Sequence, residues 1–97
     1  MNDALQLLGL ATRAGQVVSG GDLCEKEIRA GKIALLLIDE AVSSHTREKF
    51  TSLSAAKNIP LRKICAGALG AAIGKENRMV VAVRKGPFSN QLITLLQ

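Results

Sequence analysis

Two short runs of the sequence are apolar at every position, and they limit the folds that the chain can adopt. The first extends from Ile33 to Ile38, and the second extends from Met79 to Val83. In a strand with one exposed face, apolar and polar residues alternate, whereas a continuous apolar run is typical of a strand covered on both faces. The chain is therefore expected to form a sheet that lies between two layers of other elements.

Helix-favouring segments precede and follow these runs. Each begins near a capping residue or a proline, or ends near a glycine or an asparagine. They extend from Asn2 or Asp3 to Gly15, from the Ser19–Asp22 segment to about Ala30, from Ser43 or Ser44 to Asn58, from Ala66 to Ile73, and from Pro87 through Leu96. Val17–Val18 and Leu61–Ile64 are shorter β-prone pieces. This alternation predicts an α/β protein, a three-layer α/β/α sandwich around a buried sheet. We expect the sheet to be small, mixed and four-stranded.

Length and composition favour a single globular unit. The chain has 97 residues, of which 47% are hydrophobic and 22% charged, so we expect one domain over residues 1–97. Cys24 and Cys65 have no histidine or cysteine at ligand spacing, which excludes a disulfide framework and a zinc finger. No apolar run reaches about 18 residues, and the chain does not start with a basic segment followed by an apolar one. We therefore expect a cytoplasmic protein with no membrane partner.

Charge is distributed unevenly along the chain. Residues 1–56 hold six basic and seven acidic residues, whereas residues 57–97 hold seven basic residues and the single acid Glu76. Clustered Lys and Arg favour polyanions, because binding releases the counterions condensed on a nucleic-acid backbone. The asymmetry therefore predicts a surface that faces nucleic acid, and the alternative is a basic surface without a partner.

Groups that could perform catalysis are few. His45, the one histidine, stands in a polar segment near a predicted helix start, as a solvated residue would. Asp39 and Glu40 are adjacent at the end of a strand, where neighbouring side chains point in opposite directions instead of facing each other across a substrate. The sequence contains neither a dinucleotide-binding GxGxxG motif nor a P-loop. We therefore predict that the protein is not an enzyme and has no cofactor or metal.

The Gly20-Gly21 pair at the start of the second predicted helix is a better candidate for binding. Glycines at a helix start let an anion approach the backbone, where the first-turn N–H groups are unpaired and carry partial positive charge. Lys26, which follows on the same helix, adds a donor for a phosphate or a guanine edge. In the alternative interpretation, Ser19 and Asp22 form a capping box and satisfy these donors.

A second candidate segment follows the third β-prone piece. Arg62 and Lys63 precede Ile64-Cys65-Ala66-Gly67, which makes a loop that is cationic on one side and apolar on the other. Such a loop could lie against exposed bases and riboses, or could be an ordinary strand-to-helix turn. The chain has no Trp or Tyr, which excludes the aromatic stacking platforms of RRM and OB-type modules. RNA would have to be bound through glycine-rich backbone, Lys and Arg.

Motifs over nearly the whole chain resemble those of one family. They are Leu7–Ala11 with Ala14–Gly15, Gly20–Lys26 continuing to Gly31, Leu35–Ile38, Ile59–Pro60 and Leu69–Gly74. Together they resemble the kink-turn RNA-binding ribosomal proteins typified by archaeal L7Ae, and above all the short bacterial members. The α/β/α sandwich of that family agrees with the order of elements inferred above.

The resemblance implies particular contacts with RNA. In the family, a Gly-x-Asn-Glu-x-x-Lys segment at the start of the second helix reads the sheared G·A pairs of a kink-turn. Gly20 and Lys26 match its ends, whereas Asp22 replaces the Asn and Leu23 replaces the Glu. Ionised Asp only accepts hydrogen bonds and repels phosphate, and Leu cannot accept a guanine N–H, so we expect weakened or altered base readout. The resemblance also implies that the loop Ile64–Gly67 covers flipped-out bases.

The sequence therefore predicts a non-catalytic RNA-binding protein that is associated with the ribosome and recognises a kink-turn in ribosomal RNA or in a structured mRNA leader. The predicted RNA-binding residues are Gly20, Gly21, Asp22, Lys26, Arg62, Lys63, Ile64, Cys65, Ala66 and Gly67. Arg84 and Lys85 are further candidates for phosphate contacts. The alternative is a protein-interaction module on the same fold, in which Asp22 and Leu23 have removed the RNA specificity.

Overall fold

A computed structural model describes residues 3–97 and contains five helices and four strands in alternation. The helices are α1 (Asp3–Arg13), α2 (Gly21–Arg29), α3 (Ser44–Ala56), α4 (Ala68–Ile73) and α5 (Pro87–Leu95). The strands are β1 (Val17–Ser19), β2 (Ile33–Asp39), β3 (Leu61–Ile64) and β4 (Val80–Arg84). The cap considered at Asn2 lies outside the described residues. None of the helices in this part of the chain is long and apolar enough to span a membrane.

The four strands form one mixed sheet in the order β1-β4-β2-β3. β4 pairs antiparallel with both β1 and β2, while β2 and β3 are parallel. The two continuous apolar runs are therefore the two central strands, which explains why neither alternates with polar residues. The predicted three-layer sandwich with a mixed four-stranded sheet is confirmed.

Each face of the sheet has its own apolar core. On the face covered by α2 and α3, the largest fully buried side chain is Phe50, which packs with Ile28 and Leu36. On the other face, α1, α4 and α5 bury Leu8, Leu69 and Leu92 against the sheet. The sheet is thus covered on both sides, as its composition requires.

The predicted capping box at the start of α2 is wrong. Ser19 is the last residue of β1 and is paired with Val81. Its backbone therefore belongs to the sheet, and Ser19 does not occupy the N-cap position. Gly20 is the N-cap instead, with φ of 95° and ψ of 144° and no hydrogen bond from a capping side chain. A positive φ of this size favours glycine, and it allows the chain to turn directly from β1 into α2.

Two other predicted boundaries are shifted. α4 begins at Ala68 instead of Ala66, because Gly67 has a left-handed φ of 80°. β4 begins at Val80 and includes Arg84, because the backbone N–H of Arg84 still donates to Gln16 (2.9 Å) at the end of the sheet. Both shifts are of one or two residues.

The structure distinguishes the two candidate caps of α3. Ser43 is the N-cap, and its Oγ accepts the backbone N–H of Thr46 at 3.2 Å, whereas Ser44 is the exposed first residue of the helix. We expect Ser43→Ala to lower the free energy of unfolding by about 1 kcal/mol, because a first-turn donor loses its acceptor. Ser44→Ala is the matched control and should have little effect in urea denaturation. Equal losses in the two variants would contradict the assigned cap.

Candidate nucleic-acid interface

At one end of the sheet, which we call the Gly20 end, β1, β2 and β3 end and β4 begins. The backbone N–H of Gly20 donates to Val80 O at 3.0 Å, and that of Asp39 donates to Met79 O at 2.9 Å. At the ends of β2 and β3, the N–H of Glu40 donates to Ile64 O at 2.8 Å. The end of β1, the start of β4 and the ends of β2 and β3 therefore lie side by side.

This arrangement brings the two predicted binding segments to one end of the molecule. Gly20 follows β1, and Cys65–Gly67 follows β3 at the opposite edge of the sheet. Three strand spacings of about 4.8 Å separate the two edges, or roughly 14 Å. Between them lie the residues that precede β4 and those that follow β2, none of which was among the predicted RNA-binding residues.

The start of α2 lies at this end, where Gly20 and Gly21 are half-buried. No side chain in the described part of the chain caps the helix at Gly20, and Asp22 and Leu23 in its first turn are exposed. The first-turn N–H groups of an α-helix have no partner within the helix and carry part of its positive dipole. This backbone is therefore suited to an anion.

Arg78 lies directly over this helix start. A Cβ atom built on Gly20 would be only 3.1 Å from Arg78 Nη1, so the guanidinium occupies the space that a larger residue would need. Arg78 also lines several grooves, two of which contain residues of the predicted binding segments. One, of about 410 Å³, runs past Gly20 and Gly21 to Ser43. The other, of about 530 Å³, runs from Asp39 past Gly67 to Gly74.

The segment Asn77–Met79 lines both grooves and joins the two predicted binding segments into one surface. In the sequence, Arg78 stands out only as one of the seven basic residues of the segment 57–97. Its position depends on the pairing of β4 with both β1 and β2, which places the residues before β4 in the middle of the Gly20 end. Strand order cannot be read from hydrophobic pattern alone, so the sequence contains no local signal for this role.

Gly70 fixes the path of the chain from α4 toward Arg78. A Cβ atom at Gly70 would approach the backbone oxygen of Lys75 to 2.7 Å, closer than a side chain tolerates. The N–H of Lys75 in turn donates to Gly70 O at 3.0 Å. The close approach folds the residues after α4 back against the helix, which returns the chain to the Gly20 end at Asn77.

A buried carboxylate holds the turn after β3 in place. The side chain of Asp39 is 1% exposed, and its Oδ1 accepts the N–H of Ala41 at 2.7 Å while its Oδ2 accepts the N–H of Gly67 at 2.8 Å. Hydrogen bonds from two backbone N–H groups compensate the cost of burying the charge. Asp39 therefore positions the turn and is not paired with the exposed Glu40, in agreement with the expectation that these adjacent acids do not face each other.

The predicted loop residues differ in what they expose. Ile64 is 8% exposed and packs in the core, so its side chain is not available to cover a base. Arg62 is half-buried and donates to the backbone oxygens of Leu96 (3.1 Å) and Leu61 (3.0 Å), which hold it beside the end of α5. Lys63 and the segment Cys65–Gly67 are exposed, and they are the accessible part of this loop.

The exposed face of α2 carries the remaining predicted residues. Lys26 is exposed, and its side chain has no ion pair or hydrogen bond within residues 3–97. Leu23 is 46% exposed. Cys24 faces inward, and its Sγ contacts the backbone oxygens of Val18 (3.5 Å) and Val80 (3.7 Å). Burial raises the pKa of the Cys24 thiol to about 12, so it remains protonated and forms part of the core.

Arg84 and Lys85, the further candidates for phosphate contacts, lie at the other end of the sheet, away from the two predicted binding segments. Arg84 pairs with Ile33 in the register, five residues before the end of the pairing at Ile38. Its guanidinium donates to Glu27 Oε1 at 3.1 Å and to Gly15 O at 2.9 Å. β4 spans the full length of the sheet, so its first and last residues belong to opposite ends.

Fold and site together define an α/β/α protein with an uncapped glycine helix start beside a basic loop. The family model for the ribosomal protein L7Ae/L30e/S12e/Gadd45 family matches residues 2–93. The chain belongs to this family, which confirms the resemblance inferred from its motifs. The family is described as one of ribosomal proteins, not of enzymes, in agreement with the prediction of no catalysis.

Individual relatives cover nearly all of the chain. The "RNA-binding protein YlxQ" of Bacillus subtilis is 50% identical over 91 residues, which are 93% of this chain and 91% of that protein. A protein of unknown function from Bacillus halodurans has a solved structure that matches with a TM-score of 0.94 and 32% identity, covering 99% of this chain and 98% of that one. The 15.5kD RNA-binding protein of Giardia lamblia has a TM-score of 0.81 at 18% identity, covering 95% of this chain and 80% of that one, and shows the shared fold.

The role of Asp39 can be tested by a change that preserves its size. In Asp39→Asn one acceptor oxygen becomes an NH₂ group, which would face a backbone N–H of Ala41 or Gly67. We expect the free energy of unfolding to fall by about 1–3 kcal/mol, because a buried donor is left unsatisfied. Glu40→Gln, at the exposed neighbour, is the matched control for urea denaturation. A loss in Asp39→Asn no larger than in Glu40→Gln would contradict the positioning role.

Proposed function

We propose that this protein binds RNA at the Gly20 end and that its target is a kink-turn, in ribosomal RNA or in a structured mRNA leader of the cytoplasm. The RNA-binding surface comprises the start of α2 with Lys26, the segment Asn77–Met79, and the turn Cys65–Gly67 with Lys63. The whole chain acts as one RNA-binding unit without catalysis. Two of its relatives, from Bacillus subtilis and Enterococcus faecium, are named RNA-binding proteins.

The observation that carries the proposal is the Arg78 guanidinium over the uncapped start of α2. Unpaired backbone N–H groups and a cation converge there, next to a groove of about 410 Å³. A helix N-terminus favours phosphate or a base acceptor, and Arg adds charge and a planar surface that can stack on a base. The absence of a side chain at Gly20 lets these two groups approach the same ligand.

Charge at this end is mixed, which favours recognition by shape over attraction by charge alone. Lys26, Lys63, Lys75 and Arg78 are cations of the proposed surface, and Asp22, Glu40 and Glu76 are exposed acids near it. Four cations that each contact one phosphate give a slope of about −3 for the logarithm of affinity against the logarithm of salt concentration. Backbone donors and the small side chains of the Cys65–Gly67 turn add contacts that salt affects little.

Kink-turn specificity is tested by RNA that differs in its G·A pairs alone. Gel-shift titrations compare a kink-turn RNA with the same RNA in which Watson–Crick pairs replace the tandem sheared G·A pairs. We expect the kink-turn RNA to bind at least about ten-fold more tightly, because only the bent form fits against α2 and the Asn77–Met79 segment together. Equal affinity for the two RNAs would refute kink-turn recognition and leave general RNA binding.

Two lysine variants complete this experiment. Lys26→Ala should weaken kink-turn binding by about 1–3 kcal/mol if Lys26 contacts a base. Lys49→Ala is its matched control, because it also removes one positive charge but lies on α3, where its Nζ pairs with Glu25 at 2.7 Å. Loss of binding by the same factor in both variants would indicate net charge as the cause and contradict a specific contact of Lys26.

The alternative function, a protein-interaction module, is favoured by the exposed Leu23 at a position where base readout would need a polar group. Sedimentation with ribosomes distinguishes the two functions. An RNA-binding ribosome-associated protein should pellet with ribosomes at low salt and dissociate at high salt, because its phosphate contacts are screened. Cosedimentation that survives both ribonuclease treatment and high salt would instead indicate a protein partner.

A further inference from the structure

The end of the sheet opposite Gly20 carries a second positively charged surface. Lys32 precedes β2, Lys57 follows α3 and Lys85 follows β4, so three different connections contribute a lysine to the same end. The backbone N–H of Lys85 donates to Lys32 O at 3.1 Å, and Lys57 and Lys85 line one groove of about 300 Å³. We call Lys32, Lys57 and Lys85 the lysine face.

The charge of the lysine face is largely unneutralised. Lys57 and Lys85 are exposed and have no ion pair within residues 3–97. Lys32 Nζ is 3.9 Å from Glu27 Oε2, but Arg84 holds the same carboxylate at 3.1 Å. Two cations therefore share one acid, and Lys57 and Lys85 remain without an acidic partner among the described residues. The C-terminal ends of α2 and α3 add partial negative charge, about half a unit each, and the face remains positive.

The lysine face lies far from the proposed kink-turn site at the Gly20 end. β4 carries the chain from the Val80–Gly20 hydrogen bond to Lys85 in five residues, or about 16 Å. The molecule measures 30 × 26 × 23 Å, so the lysine face lies on the far side from Gly20. A compact RNA bound at the Gly20 end does not account for it, although much of the basic excess of residues 57–97 lies here.

The chemistry of the face favours a phosphate backbone over other polyanions. The large exposed apolar side chains of the described residues are Leu10, Leu23, Met79 and Leu95, and none of them lines the groove, so no apolar side chain is available to enter a bilayer beside the lysines. Flexible lysines around a shallow groove suit closely spaced phosphates and carry no means of base readout.

We propose that the lysine face binds the phosphate backbone of a second RNA segment without regard to sequence, while the Gly20 end holds the first. The inference rests on the proposed function in taking RNA as the ligand. With both surfaces occupied, the protein joins two RNA segments that lie on its opposite sides. Lys57 and Lys85 make the phosphate contacts, and Lys32 supports them from the connection before β2.

The experiment uses two RNAs so that the two surfaces are measured separately. Binding of a short kink-turn RNA is measured first and then made saturating with unlabelled RNA. A fluorescent duplex of about 16 base pairs without G·A pairs is then titrated into this complex. We expect it to bind the wild-type complex. In K57Q/K85Q the affinity for the duplex should fall at least about ten-fold, and the salt slope should decrease by about 1 per lysine.

A matched variant tests whether position or total charge is responsible. R13Q/K49Q removes the same number of positive charges from α1 and α3, and neither residue lines the lysine groove or the grooves beside Gly20. It should bind the duplex as the wild type does. Equal losses in the two double variants, or undiminished duplex binding by K57Q/K85Q, would overturn the proposal.

Further outcomes distinguish RNA binding by the lysine face from kink-turn recognition at the Gly20 end. K57Q/K85Q should bind the short kink-turn RNA within about two-fold of wild type, because the variant leaves the Gly20 end unchanged. If the kink-turn RNA does not bind preferentially but K57Q/K85Q alone loses the duplex, the proposed function fails and the lysine face is supported. If polyglutamate of equal charge displaces the duplex at lower concentration than unlabelled duplex does, the partner is an acidic protein and the RNA assignment is wrong.

Discussion

The insertion of β4 between β1 and β2 is the interaction on which the rest of the structure depends. β4 is the last strand in the chain, yet it pairs with both neighbours and joins them into one sheet. Its first residues bring Arg78 to the start of α2, and its last residues bring Arg84 to Glu27. One apolar strand therefore organises both ends of the protein, and its side chains are buried in both apolar cores.

Local pattern was sufficient to predict the architecture, because the signals that set it are local. Continuous apolar runs identified β2 and β4, and glycine, proline and serine placed the ends of most helices within two residues. The error at Ser19 has a physical cause. The pattern Ser-Gly-Gly-Asp fits a capping box, but pairing of Ser19 with Val81 keeps its backbone in the sheet and passes the N-cap to Gly20. The pairing of β1 with β4 therefore outweighed the local preference of Ser19 for a helix N-cap.

The candidate site was only partly predictable, because its composition depends on strand order. Gly20, Gly21 and Lys26 could be proposed from their own segment. Arg78 belongs to the site because the N–H of Gly20 donates to Val80 O, which brings the residues before β4 to the start of α2 although they are distant in sequence.

Net charge was also misleading in one respect. The basic residues near the end of the chain were expected to act together, but alternation of strand directions distributes them between both ends of the sheet, and Arg84 is engaged by Glu27.

The length of α2 has a consequence for anything held at both of its ends. The helix has nine residues and rises about 1.5 Å per residue, or roughly 14 Å in all. It begins at Gly21 beside Arg78 and ends at Arg29, shortly before Lys32. Cys24 and Ile28 are both buried in the same apolar core. The helix therefore cannot tilt or slide without disrupting the packing of that core. Ligands bound at the two ends of α2 would therefore be held at a fixed distance and a fixed relative orientation.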